Sequence, residues 1–357
     1  MTDTKKTRVL VVDDSALVRK VLVEILESDP DIEVAGVAND PFVARDRIKQ
    51  LNPDVLTLDV EMPRMDGVTF LSNLMRLRPM PVVMVSSLTE PGAAVTLAAL
   101  ELGAIDFITK PKLDVAEGLE AYGAELIQKV KVAAKARPRA AKPKTEPSIS
   151  DVAANASVMS KIAATDKLLA IGASTGGTEA IREVLSTMPP DGPPTVIAQH
   201  IPAAFSGPFA ERLDESSPMQ VKEAVDGEQL VNGHAYVAPG SHHLRVRRSG
   251  ARYMAHLSDD AKVNGHRPSV DVLFESVATV AGINAVGVLL TGMGCDGAVG
   301  LKQLLDAGAP TMAQDEATSV VWGMPGEAVR LGAAADVLPI GRITERILTV
   351  LAEKVGA

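Results

Sequence analysis

Reactive side chains in this sequence recur where short apolar runs stop. Asp13 and Asp14 follow Val9–Val12, Asp59 follows Val55–Leu58, Ser86 follows Val82–Val85, and Lys110 stands just beyond Ile105–Ile108. Brought to one edge of a sheet, they would gather carboxylates, a hydroxyl and an ammonium around one pocket. Carboxylates at close range repel one another, which favours a divalent cation; an all-oxygen ligand set suits Mg²⁺ that keeps several waters. Such a cation would neutralise phosphoryl oxygens while Lys110 paired with another, leaving Asp59 to attack phosphorus. The plainer role for Asp13 and Asp14 is to cap the helix that starts near Ser15. Capping accounts for one of them and leaves Asp59, followed by Met62-Pro-Arg-Met-Asp-Gly67, unexplained.

A second set lies in the C-terminal half. The run Leu168–Ile171 leads into Gly172-Ala-Ser-Thr-Gly-Gly177, which contains G-x-S-x-G in the strand–turn–helix setting that projects a serine hydroxyl. The helix behind it would offer backbone N–H groups and a positive dipole end to a developing oxyanion. A glycine-rich turn of this kind also suits pyrophosphate. Against that reading, the spacing is not G-x-G-x-x-G, and the next run ends in Gln199-His200 rather than in an acid that could hold a ribose. Ser174 needs a base and an orienting group. All six histidines fall in this half, at 200, 234, 242, 243, 256 and 266. His200 alone directly follows a buried-looking strand, so it is either the base or a surface-loop histidine; His242 and His243 read as turn residues after Pro239-Gly240. Asp296, in Thr291-Gly-Met-Gly-Cys-Asp-Gly297, is either the orienting carboxylate or a cap for the next helix, with Asp271 as the second choice. Cys295 has nothing nearby to activate a thiol. Trp322 and the turn Gly323-Met-Pro-Gly326 suit a pocket wall or the core.

These residues require sheets to hold them. Apolar runs alternate with amphipathic helical stretches in both halves, which predicts an α/β protein of two doubly wound parallel-sheet domains. The first is flavodoxin-like; the second is Rossmann-like with a β-rich insertion at about His234 to His256. Between them, Lys129 to Lys144 holds seven basic residues and no acidic one, and prolines at 138, 143 and 147 interrupt any helix. The expected division is therefore 1–128, a basic proline-containing linker at 129–165, and 166–357.

At 357 residues the length suits two domains. A net charge of −9 argues against a nucleic-acid binder, and one cysteine excludes an internal disulfide framework. The first apolar run is too short for a signal-peptide core, and no stretch approaches a membrane span, so a cytoplasmic protein without membrane insertion is expected. A transcriptional regulator would need a basic helix-turn-helix reading head; residues 166–357 are too long for one and carry several strand-end motifs it would not need. A non-catalytic adaptor would leave Ser174 as a mere helix cap.

The paired Asp13-Asp14, the run Asp59-Val-Glu-Met-Pro-Arg-Met-Asp-Gly67, Ser86 and Lys110-Pro111 closely resemble the receiver domains of two-component response regulators. That resemblance covers about residues 7 to 125. It implies phosphorylation of Asp59 by a histidine kinase, with Mg²⁺ held by Asp14 and Asp59, Asp13 nearby and the Glu61 carbonyl as a further ligand. It also implies a switch role for Ser86 and Phe107, and a cis bond between Lys110 and Pro111.

The second half is similar to the chemotaxis-specific protein-glutamate methylesterases, the CheB family. The matching motifs are Ile171-Gly-Ala-Ser-Thr-Gly-Gly-Thr-Glu-Ala180, Ala198-Gln-His-Ile-Pro202, His266-Arg-Pro-Ser-Val-Asp271 and Leu290-Thr-Gly-Met-Gly-Cys-Asp-Gly297. This resemblance implies a Ser174–His200–Asp296 triad and an oxyanion donor at the Met293 backbone N–H. It further implies methylated chemotaxis receptors as substrates, deamidation of receptor glutamines, no cofactor for hydrolysis, and a receiver that covers the catalytic face until Asp59 is phosphorylated.

Overall fold

The computed structural model describes residues 5–111, 119–136 and 166–353, which fall into two compact units either side of 137–165. In the first unit the order is β1 (Thr7–Val12), α1 (Ala16–Glu27), β2 (Ile32–Ala38), α2 (Pro41–Leu51), β3 (Val55–Asp59), α3 (Gly67–Leu77), β4 (Val82–Ser86), α4 (Glu90–Glu101), β5 (Asp106–Thr109) and α5 (Leu119–Lys135). The strands pair in parallel in the order β2-β1-β3-β4-β5, the flavodoxin-like arrangement. Every residue of β3 and β4 is buried, because helices cover both faces of a parallel sheet and remove the polar alternation of an exposed one. Capping marks the helix starts: Ser15, Asp40 and Asp66 each accept a backbone N–H of the helix that follows.

The basic run expected to be linker begins inside this unit. Residues 129–135 are the last turns of α5, which buries Leu126, Val130 and Ala133. Lys129 Nζ lies 2.8 Å from Asp106 Oδ1, and Lys131 Nζ lies 3.1 Å from Asp29 and 2.7 Å from Asp31. These lysines neutralise acids of the first unit, so charge alone misplaced the boundary. The rest of the expected linker, from residue 137, lies outside the described residues.

The second unit runs β6 (Leu168–Ala173), α6 (Gly177–Ser186), β7 (Thr195–Gln199), α7 (Ala203–Ser216), β8 (Gln220–Glu223), β9 (His234–Val237), β10 (His243–Ser249), β11 (Arg252–Ser258), α8 (Val270–Ala281), a 3₁₀ turn (Gly282–Asn284), β12 (Ala285–Leu289), α9 (Ala298–Asp306), β13 (Thr311–Gln314), α10 (Met324–Arg330), β14 (Asp336–Leu338) and α11 (Ile340–Glu353). Seven of its nine strands form one all-parallel sheet, in the order β14-β13-β12-β6-β7-β9-β8. Successive residues of β6 face opposite sides: Leu168 and Ala170 join a core with Val270, Leu273 and Phe274 of α8, and Leu169 and Ile171 turn away from it. Only part of the expected β-rich insertion is one. β9 pairs with β7 in the main sheet, while β10 and β11 form a separate antiparallel hairpin. The chain passes from β6 to β7 on one side and later returns to β12 on the other, so the crevice beyond their carboxyl ends lies where the winding reverses.

The Lys129–Asp106 pair is largely buried, at 15% and 8% side-chain exposure. Lys129→Ala leaves a buried carboxylate without its ammonium and should destabilise the first unit by about 3 kcal/mol, with Lys129→Met/Asp106→Asn recovering most of it. Hydrogen exchange of the β4 and β5 amides checks this, and unchanged protection in the single variant would show that the pair does not hold α5.

Candidate functional site

Two clusters form where the sheets end. In the first unit, Asp13 and Asp59 are fully buried and Asp14 is exposed, and one carboxylate oxygen of each lies within 4.8 Å of the others. Lys110 Nζ donates to Asp59 Oδ2 at 2.8 Å and stands 3.6 Å from Asp13 Oδ2. The Glu61 N–H donates to the other Asp59 oxygen at 3.1 Å. Ser15 fills the capping role at α1, while Asp13 Oδ1 accepts the Ser15 N–H at 2.8 Å. Asp13 Oδ2 is buried and accepts no hydrogen bond, so a carboxylate oxygen stands ready for a ligand that the chain itself does not supply. That orphaned oxygen beside two more carboxylates fits a divalent cation.

Burial raises Asp59, with Asp13 adding and the Lys110 bond opposing, so that it is pushed up to about 6. Burial raises Asp13 as well, against Lys110. Burial works against the Lys110 ammonium, but Asp59, Asp13 and Asp14 outweigh it and hold the group above its usual range. The Ser86 hydroxyl is engaged with α4, taking a 2.6 Å bond from Thr96. Phe107 is buried with Lys129 5.6 Å above its ring. The expected cis bond at Lys110–Pro111 is absent; among the described residues the cis peptide is Arg267–Pro268, and Lys110 reaches Asp59 from a trans linkage.

In the second unit, Ser174 directly follows β6 on a turn whose Gly176 takes φ of +75°, where an added Cβ would also strike Val320. Its N–H donates to Thr291 O, and its carbonyl accepts from Gly177 N and from Gln199 Nε2. Gly292 lies so close behind it that a Cβ there would sit 2.9 Å from Ser174 Cβ and 2.3 Å from Met324 Sδ. Glycine is what lets the loop after β12 pass against the serine. His200, one residue beyond β7, places Nδ1 3.1 Å from Ser174 Oγ and Nε2 2.7 Å from Asp296 Oδ2. His200 is therefore not a surface-loop histidine: its side chain is 7% exposed.

Asp296 is 2% exposed, and both its oxygens are bonded. Besides His200, it accepts from Asn264 Nδ2 at 2.8 Å, Ser269 Oγ at 2.8 Å and the Val270 N–H at 2.7 Å. Burial pulls its carboxyl upward, but the bonds from His200, Asn264 and Val270 outweigh burial and hold it well below the usual carboxylate range. A carboxylate so held favours the His200 tautomer protonated on Nε2, in which Nδ1 can accept a proton from Ser174. Asp271, the second choice, instead accepts from Asn264 Nδ2 and the Gly300 N–H; burial and the neighbouring Asp296 raise it. His243 is no turn residue: it begins β10, fully buried, and its Nδ1 accepts the Ser269 N–H at 3.1 Å, which steadies the segment serving Asp296. Burial lowers its imidazole below the usual range. Cys295 is exposed, and Trp322 donates from Nε1 to Gln314 O while its backbone bridges to Gly292.

Asn264 and Ser269 were missed by the sequence reading. Ser269 sits at an N-cap, and Asn264-Gly265 is a tight-turn signal, but nothing in either pattern points to a carboxylate elsewhere in the sequence.

Fold and site together define an α/β protein in which a response-regulator receiver is joined to a domain bearing a Ser–His–Asp constellation. The CheB methylesterase family model matches residues 169–347, and the response regulator receiver domain model matches residues 9–121. The protein-glutamate methylesterase/protein-glutamine glutaminase 1 of Xanthomonas campestris pv. campestris is 59% identical over 356 residues, 99% of each chain. Its counterpart in Hahella chejuensis is 57% identical, covering 99% of this chain and 98% of its own. The crystal structure of the Thermotoga maritima CheB methylesterase catalytic domain is 36% identical, with a TM-score of 0.51, covering 52% of this chain and 99% of that one. The chain belongs to the CheB methylesterase family.

The raised Asp59 carboxyl makes the first unit's stability depend on pH. Its unfolded-state carboxyl titrates near 3.8, so the native state binds the proton more tightly, and stability is lost as pH rises from about 4 through about 6. Without divalent cations, Asp59→Asn should stabilise the first unit by about 1–3 kcal/mol near pH 7, with the gain vanishing near pH 4. Millimolar Mg²⁺ should stabilise the natural chain but not the variant in thermal unfolding. A variant no more stable than the natural chain at neutral pH would contradict this account.

Proposed function

We infer that this chain is a phosphorylation-activated serine hydrolase that demethylates glutamate methyl esters on methyl-accepting chemotaxis receptors. The observation that carries the reading is His200 bonded at once to the Ser174 hydroxyl and to a buried carboxylate. Nδ1 of His200 takes the Ser174 proton as Oγ bonds to the ester carbonyl carbon, and the imidazolium that forms faces Asp296. The Met293 backbone N–H, on the loop beside Ser174, donates to the oxyanion. His200 returns the proton to the departing methoxide, so methanol leaves and an acyl-serine remains. Water then attacks that acyl carbon with His200 as base again, releasing glutamate and the free serine. Receptor glutamine follows the same course with ammonia as the leaving group, which is the glutaminase activity named for the relatives. Hydrolysis needs no cofactor in this scheme.

Regulation begins at Asp59. A histidine kinase is the proposed phosphodonor, and the carboxylates of Asp13, Asp14 and Asp59 with the Glu61 carbonyl would hold Mg²⁺. When bound, Mg²⁺ neutralises phosphoryl oxygens. Lys110 pairs with a further oxygen, and Ser86 and Phe107 respond to the new group. Among the described residues no helix is long and apolar enough to cross a membrane. A cytoplasmic protein acting on the cytoplasmic parts of receptors completes the reading.

Ser174→Ala should abolish methanol release from methylated receptor membranes, and Asp296→Asn should lower kcat by about 10³–10⁴ because the imidazole loses its tautomer. A small-molecule phosphodonor should raise methanol release in the natural chain and leave Asp59→Asn unchanged. Full turnover in Ser174→Ala would overturn the serine mechanism, and equal activation of Asp59→Asn would overturn the phosphoacceptor.

A further inference from the structure

Residues 263–266 form a minimal hairpin. Val263 N donates to His266 O at 3.1 Å and His266 N to Val263 O at 2.9 Å, and Asn264 and Gly265 take φ of +52° and +81°. Positive φ at both central positions is the type I′ turn that Asn-Gly favours. The turn delivers a side chain to each of two members of the constellation. Asn264 Nδ2 donates to Asp296 Oδ1 at 2.8 Å and to Asp271 Oδ2 at 2.7 Å. The His266 ring lies flat on the His200 ring, with centroids 3.7 Å apart and planes 10° from parallel. The chain then passes Arg267, tied to the carbonyls of Asp259 and Asp260, and reaches Ser269 and Val270, which also donate to Asp296.

The ring torsion of a histidine is soft. His200 makes its bonds through Nδ1 and Nε2, at the ring edge. Such bonds limit rotation within the ring plane more than they limit tilting out of it. A second ring at van der Waals distance opposes tilting on one face. We propose that His266 is a positioning residue for the hydrolase, holding the His200 plane so that Nδ1 stays aimed at Ser174 Oγ, with Asn264 anchoring the turn that carries it. His266 does not touch the reacting atoms; its planar face, not its protons, does this work. The proposal rests on the serine-hydrolase reading.

The test uses the full chain and a fluorophosphonate probe, whose rate of attachment to Ser174 at saturation reports the base-assisted step and whose half-saturation reports access. A misplacement of the base on the scale of an ångström costs about 10²-fold, so His266→Ala should lower the saturating rate by about 10- to 100-fold with half-saturation little changed. His266→Phe keeps a flat ring and should recover most of the rate; His266→Leu fills the space without one and should not. If His266→Ala does not fold, the Phe and Leu variants decide, compared at matched thermal stability. Alanine reacting at the natural rate, leucine matching phenylalanine, or a loss confined to half-saturation would each overturn the proposal. Ser174→Ala separates the two claims: labelling that persists there sinks the hydrolase reading, whatever His266 does.

Discussion

The Asp296 carboxylate is the interaction on which the second unit is organised. At 2% exposure it has lost nearly all of its water, and an unpaired charge so placed would cost several kcal/mol or take up a proton. Bonds from Asn264, Ser269, the Val270 N–H and His200 replace that water. Each donor comes from a different local device: a type I′ turn, an N-cap, the first residue of α8, and the end of β7. Keeping the charge buried therefore fixes the relative placement of β7, β12 and the segment leading into α8. His200 is one partner in this set, so its orientation follows from the same requirement. The geometry at Ser174 is set by the needs of a carboxylate that never touches it.

Asp59 shows the opposite treatment of a buried carboxylate. Lys110 and the Glu61 N–H serve it, but a like charge at Asp13 stands beside it, and Asp13 Oδ2 has no donor. Burial, reinforced by Asp13 and only partly offset by the Lys110 and Glu61 bonds, leaves Asp59 pushed up to about 6, where Asp296 is held well below its usual range. A fully satisfied carboxylate is inert and serves as a fixed charge. One that is short of partners gains by binding a cation or acquiring a phosphoryl group. The two units thus place the same side chain under contrasting hydrogen-bond supply, and similar burial leaves one carboxyl raised and the other low.

Much of this was legible in the sequence because strand ends are legible. Runs such as Val9–Val12, Val55–Leu58 and Thr195–Gln199 are short and apolar, and in a parallel sheet whatever follows them arrives at one edge. That logic brought Asp13, Asp59, Ser86 and Lys110 together and gave His200 its place beside Ser174. It failed where position depends on contacts distant in sequence. Lys129 and Lys131 read as linker because their partners Asp106, Asp29 and Asp31 lie 23 to 102 residues away. β9 read as part of an insertion because four residues carry no sign of which sheet they join. His243 looked like a turn residue after Pro-Gly, and only the fold shows it buried against Ser269. Asn264 and His266 lie within one turn of each other, yet their partners Asp296 and His200 lie on separate strands' ends.

The central claim is that Asp296 fixes the proton of His200 on Nε2 and leaves Nδ1 as the base facing Ser174. Nitrogen NMR of the full chain labelled at histidine tests it directly. At a pH where the ring is neutral, His200 should show a protonated Nε2 with a strongly downfield proton and an unprotonated Nδ1, and Asp296→Asn should abolish that preference. A proton resident on Nδ1 in the natural chain, or an unchanged tautomer in Asp296→Asn, would contradict the account.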